Sequence, residues 1–271
     1  MGKKALSFKP IDMKRTCLVL AAILLTFLMA DARTVKKVYE IDGFTGISAA
    51  DAIEVTLEQG DSFRIEVEVT EEFLPYLVVK NRAGVLDMHF SRLPFALKQK
   101  NRNKVAQVYV QVPVLNHVTL SGASKLTCND TFAIAMGKFS LSASGGSTVS
   151  SLSIKAPDVD MQLSGASRAT VSVRSSDMRA ALSGASRLDV VGHGVDLSVN
   201  ASGSSRLSAE AFEVEEADVK ASGASTVDVL PTRVLKVALS GASRCRYHGD
   251  ADDLQVKAEK VTGASSLKHA Q

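Results

Sequence analysis

The stretch LSGASRATVSVRSSDMRAALSGASRL, residues 163–188, holds two copies of one turn sequence, Leu-Ser-Gly-Ala-Ser-Arg, 19 residues apart. Related fragments flank it on both sides: LSGASKL from Leu120, ASGGSTV from Ala143, ASGSSRL from Ala201, ASGASTV from Ala221, LSGASRC from Leu239 and VTGASSL from Val261. Their first glycines are Gly122, Gly145, Gly165, Gly184, Gly203, Gly223, Gly241 and Gly263, spaced 18 to 23 residues apart. Copies at so even a spacing signal a stack of repeated units, each burying against its neighbours an apolar face that it cannot bury alone.

Alternation along the copies gives the unit. Two residues before each glycine stand Leu120, Ala143, Leu163, Leu182, Ala201, Ala221, Leu239 and Val261; four after it stand Leu126, Val149, Ala169, Leu188, Leu207, Val227, Cys245 and Leu267. Both columns are apolar or small, while positions three and five after the glycine are mostly polar or charged, and period two means strand. Each coil therefore reads as strand, corner, a second strand such as Arg187 to Val191, and another turn such as Gly192 to Gly194. The expected fold is all-β, a parallel β-helix or β-solenoid of about eight coils over residues 116–271. At about 4.8 Å per rung the seven intervals give a stack of roughly 34 Å.

The corners have a physical reason to be small. The glycine is expected at φ > 0, and its neighbours must fit between identical corners above and below. The second serine of every copy, Ser124, Ser147, Ser167, Ser186, Ser205, Ser225, Ser243 and Ser265, is expected to pass hydroxyl hydrogen bonds along the axis and to satisfy corner backbone groups. A catalytic role is not read into these serines, because equivalent nucleophiles with no repeating His or Asp partner make no mechanism and SGAS is not a G-x-S-x-G elbow.

Residues 33–115 alternate too, in Ile53 to Leu57, Phe63 to Val69, Val85 to Phe90 and Val105 to Val112. Gln59-Gly60-Asp61 suggests a hairpin between the first two runs, and Glu71 to Tyr76 a single helical turn. Most of the 14 Phe and Tyr residues lie before position 140, so this part is expected to be a β cap with hairpin strands over the first rung.

The first residues read as an export signal: Lys14 and Arg15, an apolar run from Cys17 to Ala30, and Ala30-Asp31-Ala32 as a cleavage site, with cleavage expected after Ala32. Met13 is an alternative start. Removing residues 1–32 takes five of the 32 cations and two of the 29 anions, leaving 27 of each sign, so the sequence pI of 8.7 belongs to that segment and gives no support to nucleic-acid binding. The mature chain is expected to have no membrane span and to reside in the periplasm, at the outer membrane or at the cell surface.

The run FTGISAADAIEVTLEQGDSFRIEVEV, then VYVQVPVLNHVTLSGASKL and the repeated corners, resembles the autotransporter adhesin "head GIN" domains of secreted proteins in Bacteroidetes-type bacteria, over residues 38–267. The resemblance implies an exported β-solenoid acting as an adhesin head and carries over no catalytic residue. The sequence ends just after its last repeat, so surface display is expected to use a route other than a membrane barrel on the same polypeptide.

Three residues after each glycine runs a column of Lys125, Thr148, Arg168, Arg187, Arg206, Thr226, Arg244 and Ser266. Its five cations, Lys125, Arg168, Arg187, Arg206 and Arg244, are candidate ligands for an anionic polymer such as an acidic glycan or lipid phosphate. The bland alternative is a solvated face relieved by Asp189 and Asp228. Lys98, Lys100, Arg102 and Lys104 read as a solvated basic loop. Cys128 and Cys245 fall six rungs apart, too far for a disulfide, and are expected to be buried free thiols. His89, His117, His193, His248 and His269 are scattered without metal-ligand spacing, so no metal and no cofactor is expected. The leading function is a non-enzymatic envelope module, adhesin-like or scaffolding, whose partner is a polysaccharide or protein of the surface or envelope. The rivals are a polysaccharide lyase or hydrolase, which needs clustered carboxylates and long loops, and an envelope-stress or assembly sensor acting through protein contacts.

Overall fold

Short alternating runs cut by Gly-Ser corners leave the backbone only one way to satisfy its donors, which is to pair each run with its counterpart one coil away. The computed structural model, which describes residues 33–100, 106–249 and 254–270, has this arrangement. The expected signal segment and Cys17 lie outside the described residues. Residues Val35–Gln271 make up one compact unit.

Two parallel ladders run along this unit and share one core. One joins the strands that enter the corners: β2 (Gly46–Ala49), β8 (His117–Leu120), β11 (Lys138–Ala143), β13 (Asp158–Leu163), then the later halves of β14 (Arg168–Leu182), β15 (Arg187–Ala201), β16 (Arg206–Ala221) and β17 (Thr226–Leu239), and finally β19 (Gln255–Val261). The other joins the strands that leave them: β3 (Glu54–Gln59), β9 (Lys125–Cys128), β12 (Thr148–Lys155), the earlier halves of β14 to β17, β18 (Arg244–Tyr247) and β20 (Ser266–His269). The short β10 (Thr131–Ala133) joins the far end of β12. The β-solenoid read from the repeat is therefore the fold.

In the middle coils the expected second turn is absent. Strand β15 runs unbroken through Gly192 to Gly194, which stay in register with Val173 to Ser175, so the chain bends within the ladder and loses no backbone pair.

The parallel ladders begin before the first Ser-Gly-Ala-Ser corner. Strands β2 and β3 pair with β8 and β9, and between them Ala50, Asp51, Ala52 and Ile53 occupy the places of Ser121, Gly122, Ala123 and Ser124. A further rung is built by β6 (Val85–Phe90) on β2 and β7 (Ala106–Val112) on β3, joined by a connection that contains the short helix α1 (Phe95–Lys100). The hairpin expected at Gln59-Gly60-Asp61 does not form. Strand β7 inserts between β3 and β4 (Arg64–Thr70), because its Ala106, Val108, Val110 and Val112 extend the core ladder, and β4 closes its outer edge in antiparallel fashion. A hairpin of the cap lies instead at Ala83-Gly84, joining β5 (Leu77–Arg82) to β6. Glu71–Tyr76 is a single 3-10 turn, and β1 (Thr34–Tyr39) pairs with β4.

The inward columns fill the core: Leu120, Ala143, Leu163, Leu182, Ala201, Ala221 and Leu239 face Leu126, Val149, Ala169, Leu188, Leu207, Val227 and Cys245, all buried. Val261, in the same column on the last rung, is 43% exposed because the described residues place no further rung against it.

Candidate functional site

The corners determine how the outer columns are spaced. Each glycine at the corners has φ between 68° and 75°. Its carbonyl accepts a hydrogen bond from the residue after the glycine of the next coil: Ala166 N to Gly145 O, Ala185 N to Gly165 O and Ser204 N to Gly184 O are each 2.7 Å. The corners thus lie one above another, and every column anchored to them inherits the rung spacing of about 4.8 Å.

The corner serines Ser124, Ser147, Ser167, Ser186, Ser205, Ser225 and Ser243 are buried. The hydroxyls of Ser147, Ser167, Ser186, Ser225 and Ser243 bond to carbonyls and form no continuous hydroxyl relay down the stack. Ser167 Oγ donates to Ser164 O at 2.8 Å in its own corner and to Ala143 O at 3.1 Å one coil back; Ser225 and Ser243 repeat this pattern. Ser243 and Ser265 make a hydroxyl contact, at 3.4 Å, while Ser124 and Ser205 find no partner. The carbonyls win because they point along the axis at fixed positions, whereas a serine relay would leave those acceptors with only one bond.

The column three residues after the glycine is outward and continuous. Lys125, Thr148, Arg168, Arg187, Arg206, Thr226, Arg244 and Ser266 are in-register neighbours from rung to rung. Arg168, Arg187 and Arg206 occupy three consecutive rungs, all exposed. Like charges about 4.8 Å apart repel by roughly 1 kcal/mol per pair even in water.

Neither carboxylate beside this column, Asp189 or Asp228, forms an ion pair with it within 4.0 Å. Asp228 is 2% exposed and takes a bidentate contact from Arg246, at 2.5 and 2.7 Å. The same contact holds the Arg246 guanidinium above its usual pKa. Lys125 pairs with Glu54 at 3.0 Å, but among the described residues Arg168, Arg187, Arg206, Arg244 and Asp189 form no ion pair within 4.0 Å.

The same face carries a second column that the repeat alone does not reveal. Lys155, Arg174 and His193 are in register near the far bend of β12, β14 and β15, and Glu213 of β16 follows His193 on the next rung. With Thr131, Ser153, Ser172 and Gly192 the first three line a recess of about 270 Å³ that has no carboxylate in its walls. The sequence hides it because the spacing is disturbed by a bulge between Val149 and Leu152, where Ser151 has φ 57°. Counting back from the following bend, rather than forward from the corner glycine, would have aligned the three.

The entering face carries Asp158, Asp177, Asp196 and Glu216 in register. Asp196 is held above the usual carboxylate range by desolvation and then by Asp177 and Glu216. Among the described residues, no group of three or more His, Cys, Asp or Glu is placed to hold a metal ion, and no helix is long and apolar enough to cross a membrane. His117 bonds Ser140 and Thr119, and His269 stacks on Tyr247. Cys128 and Cys245 are free and buried; burial pushes both thiols up, that of Cys245 to about 12. Of the basic loop, Lys98 and Lys100 fall in α1, while Arg102 and Lys104 lie outside the described residues.

A family model described as "Putative auto-transporter adhesin, head GIN domain" matches residues 43–251. The chain belongs to this family. The head GIN match spans the early rungs as well as the corners down to Gly241. No curated protein matches the sequence significantly. Solved structures with the same fold include a putative lipid binding protein from Parabacteroides distasonis, with a TM-score of 0.79 at 15% identity, and a putative adhesin from Parabacteroides merdae, with a TM-score of 0.78 at 20% identity. Each alignment covers 89% of this chain and 98% of the other, and at such identities the likeness is one of fold.

Proposed function

We propose that this chain is a non-enzymatic, exported binding module, adhesin-like in use, whose arginine column grips an acidic polymer. The observation that carries this reading is the set of exposed arginines Arg168, Arg187 and Arg206, in register on consecutive rungs and without a carboxylate partner among the described residues. An anionic polymer laid along the axis meets one guanidinium per rung, and guanidinium is suited to planar, two-point contact with carboxylate, sulfate or phosphate. Binding such a chain would relieve the repulsion within the column. The family description supports an exported or surface location, and the lipid binding relative makes an anionic headgroup the ligand to test beside a glycan.

The test is a titration of the mature chain with polygalacturonate. Reversing charge at Arg168, Arg187 and Arg206 together should abolish saturable binding; unchanged affinity would overturn the reading. The polymer's length should also stay constant on prolonged incubation, and shortening would favour the enzyme class instead.

A further inference from the structure

We infer that the recess walled by Lys155, Arg174 and His193 is a second anion subsite, and that a long acidic polysaccharide held along the arginine column turns along the strands to reach this recess. The inference rests on the reading of the arginine column just given. Arg168 and Arg174 lie six residues apart on β14, roughly 20 Å along the strand, and both sit on the outer face. Between them the outward positions are Thr170 and Ser172, with Ser153 beside Ser172 on the neighbouring rung. The face is thus two rails of cations with a floor of hydroxyls.

Three features characterise the recess, and its hydroxyls favour a sugar acid over a bare ion. Lys155 and Arg174 have no carboxylate within 4.0 Å among the described residues, so their charge is not already neutralised. The recess offers hydroxyls from Thr131, Ser153 and Ser172 beside the cations, which suits a ligand bearing an anionic group on a hydroxylated body. Gly192 in its wall also keeps the ladder closed: a Cβ there would stand 2.0 Å from the carbonyl of Val173. Two weak subsites on one chain reinforce each other by effective concentration, and only a ligand long enough to span both gains from it.

The experiment compares polygalacturonate oligomers of two lengths, one shorter than the gap and one well beyond it, on the mature chain. Lys155→Ala with Arg174→Ala changes exposed side chains and should leave the melting temperature unaltered. This variant should lose on the order of 100-fold in affinity for the long oligomer and keep wild-type affinity for the short one at the arginine column. The Arg168, Arg187 and Arg206 charge reversal should lose both. If the Lys155 and Arg174 variant binds the long oligomer like wild type while the arginine variant does not, the second subsite is wrong and the arginine column stands. If neither variant changes affinity, both readings fall. Saturable binding of phosphatidylglycerol vesicles through these same residues, with none to either oligomer, overturns the polysaccharide assignment.

Discussion

At the scale of single residues, the corner imposes two separate demands on its glycine. Gly184 has φ 70°, and a Cβ there would sit 2.6 Å from the carbonyl oxygen of Gly165 in the coil before it. Gly84 has φ 82° with nothing within 4 Å of an added Cβ. Gly84→Ala should therefore cost only the left-handed strain, about 1–2 kcal/mol, whereas Gly184→Ala adds a clash with rigid backbone and should cost clearly more in chemical denaturation. The buried serines separate in the same way. Ser167→Ala removes a hydroxyl with two carbonyl partners and should lose about 1 kcal/mol, while Ser205→Ala removes one that has none and should be close to neutral. Cys245 gives a pH signature. Its thiol rises from 9.0 to about 12 on burial, so the folded chain keeps a proton that the unfolded chain releases. That contribution is complete below pH 9.0 and is lost as pH rises towards 12, at about 1.4 kcal/mol per unit across the window. Denaturation of wild type and Cys245→Val at about pH 8 and about pH 11 should show the decline shrinking in the variant.

At the scale of strands and corners, the repeat was legible because every SGAS-type corner solves the same stacking problem with the same small residues. The earlier rungs were not, because they solve it differently. Asp51 and Ala52 take φ 60° and 63° where later coils place a glycine, and Ile53 fills the place of the buried serine with an apolar side chain. Only Ala49 and Val55, opposite Leu120 and Leu126, kept the pattern, and two small apolar residues are a faint signal. The hairpin expected at Gln59-Gly60-Asp61 fails for a similar reason: alternation shows that a strand has one buried face but not which edge it joins, and the pairing of β3 with the distant β7 leaves no local mark. The sequence offers Asp228 as a carboxylate relieving the arginine column, but not its bidentate contact with Arg246, because the same strand period serves solvated and covered outer positions alike. That ion pair ties β17 to β18. Arg246→Ala would leave Asp228 buried and charged, and should destabilise towards the lower end of about 3–5 kcal/mol, since the arginine side chain is itself 42% exposed. Circular dichroism melting of this variant beside Arg233→Ala, whose partner Glu215 is 46% exposed, would separate a buried pair from a surface one.

At the scale of the whole described unit, the two ladders differ in how their charges are paired. The leaving strands carry the unpaired arginines together with Lys155 and Arg174, whereas on the entering strands Asp158, Asp160 and Glu216 pair with Arg179, Lys138 and Lys236. A net charge near zero for residues 33–271 conceals this difference, which is why composition could exclude an overall electrostatic role and yet miss a local one. The acidic column is strained in turn, for Asp196 is harder to ionise folded than unfolded. Its carboxylate therefore opposes folding at neutral pH and does so less as pH falls through its raised pKa, so Asp196→Asn should raise the melting temperature at pH 7 and low salt. The binding reading is tested most directly by labelling arginines with an arginine-specific dicarbonyl reagent, with and without saturating polygalacturonate, and reading each site by mass spectrometry. The account predicts that polymer shields Arg168, Arg174, Arg187 and Arg206, while Arg179 and Arg233, paired with Asp158 and Glu215, react as before. Equal labelling of all six with and without polymer, or shielding confined to Arg179 and Arg233, would contradict it.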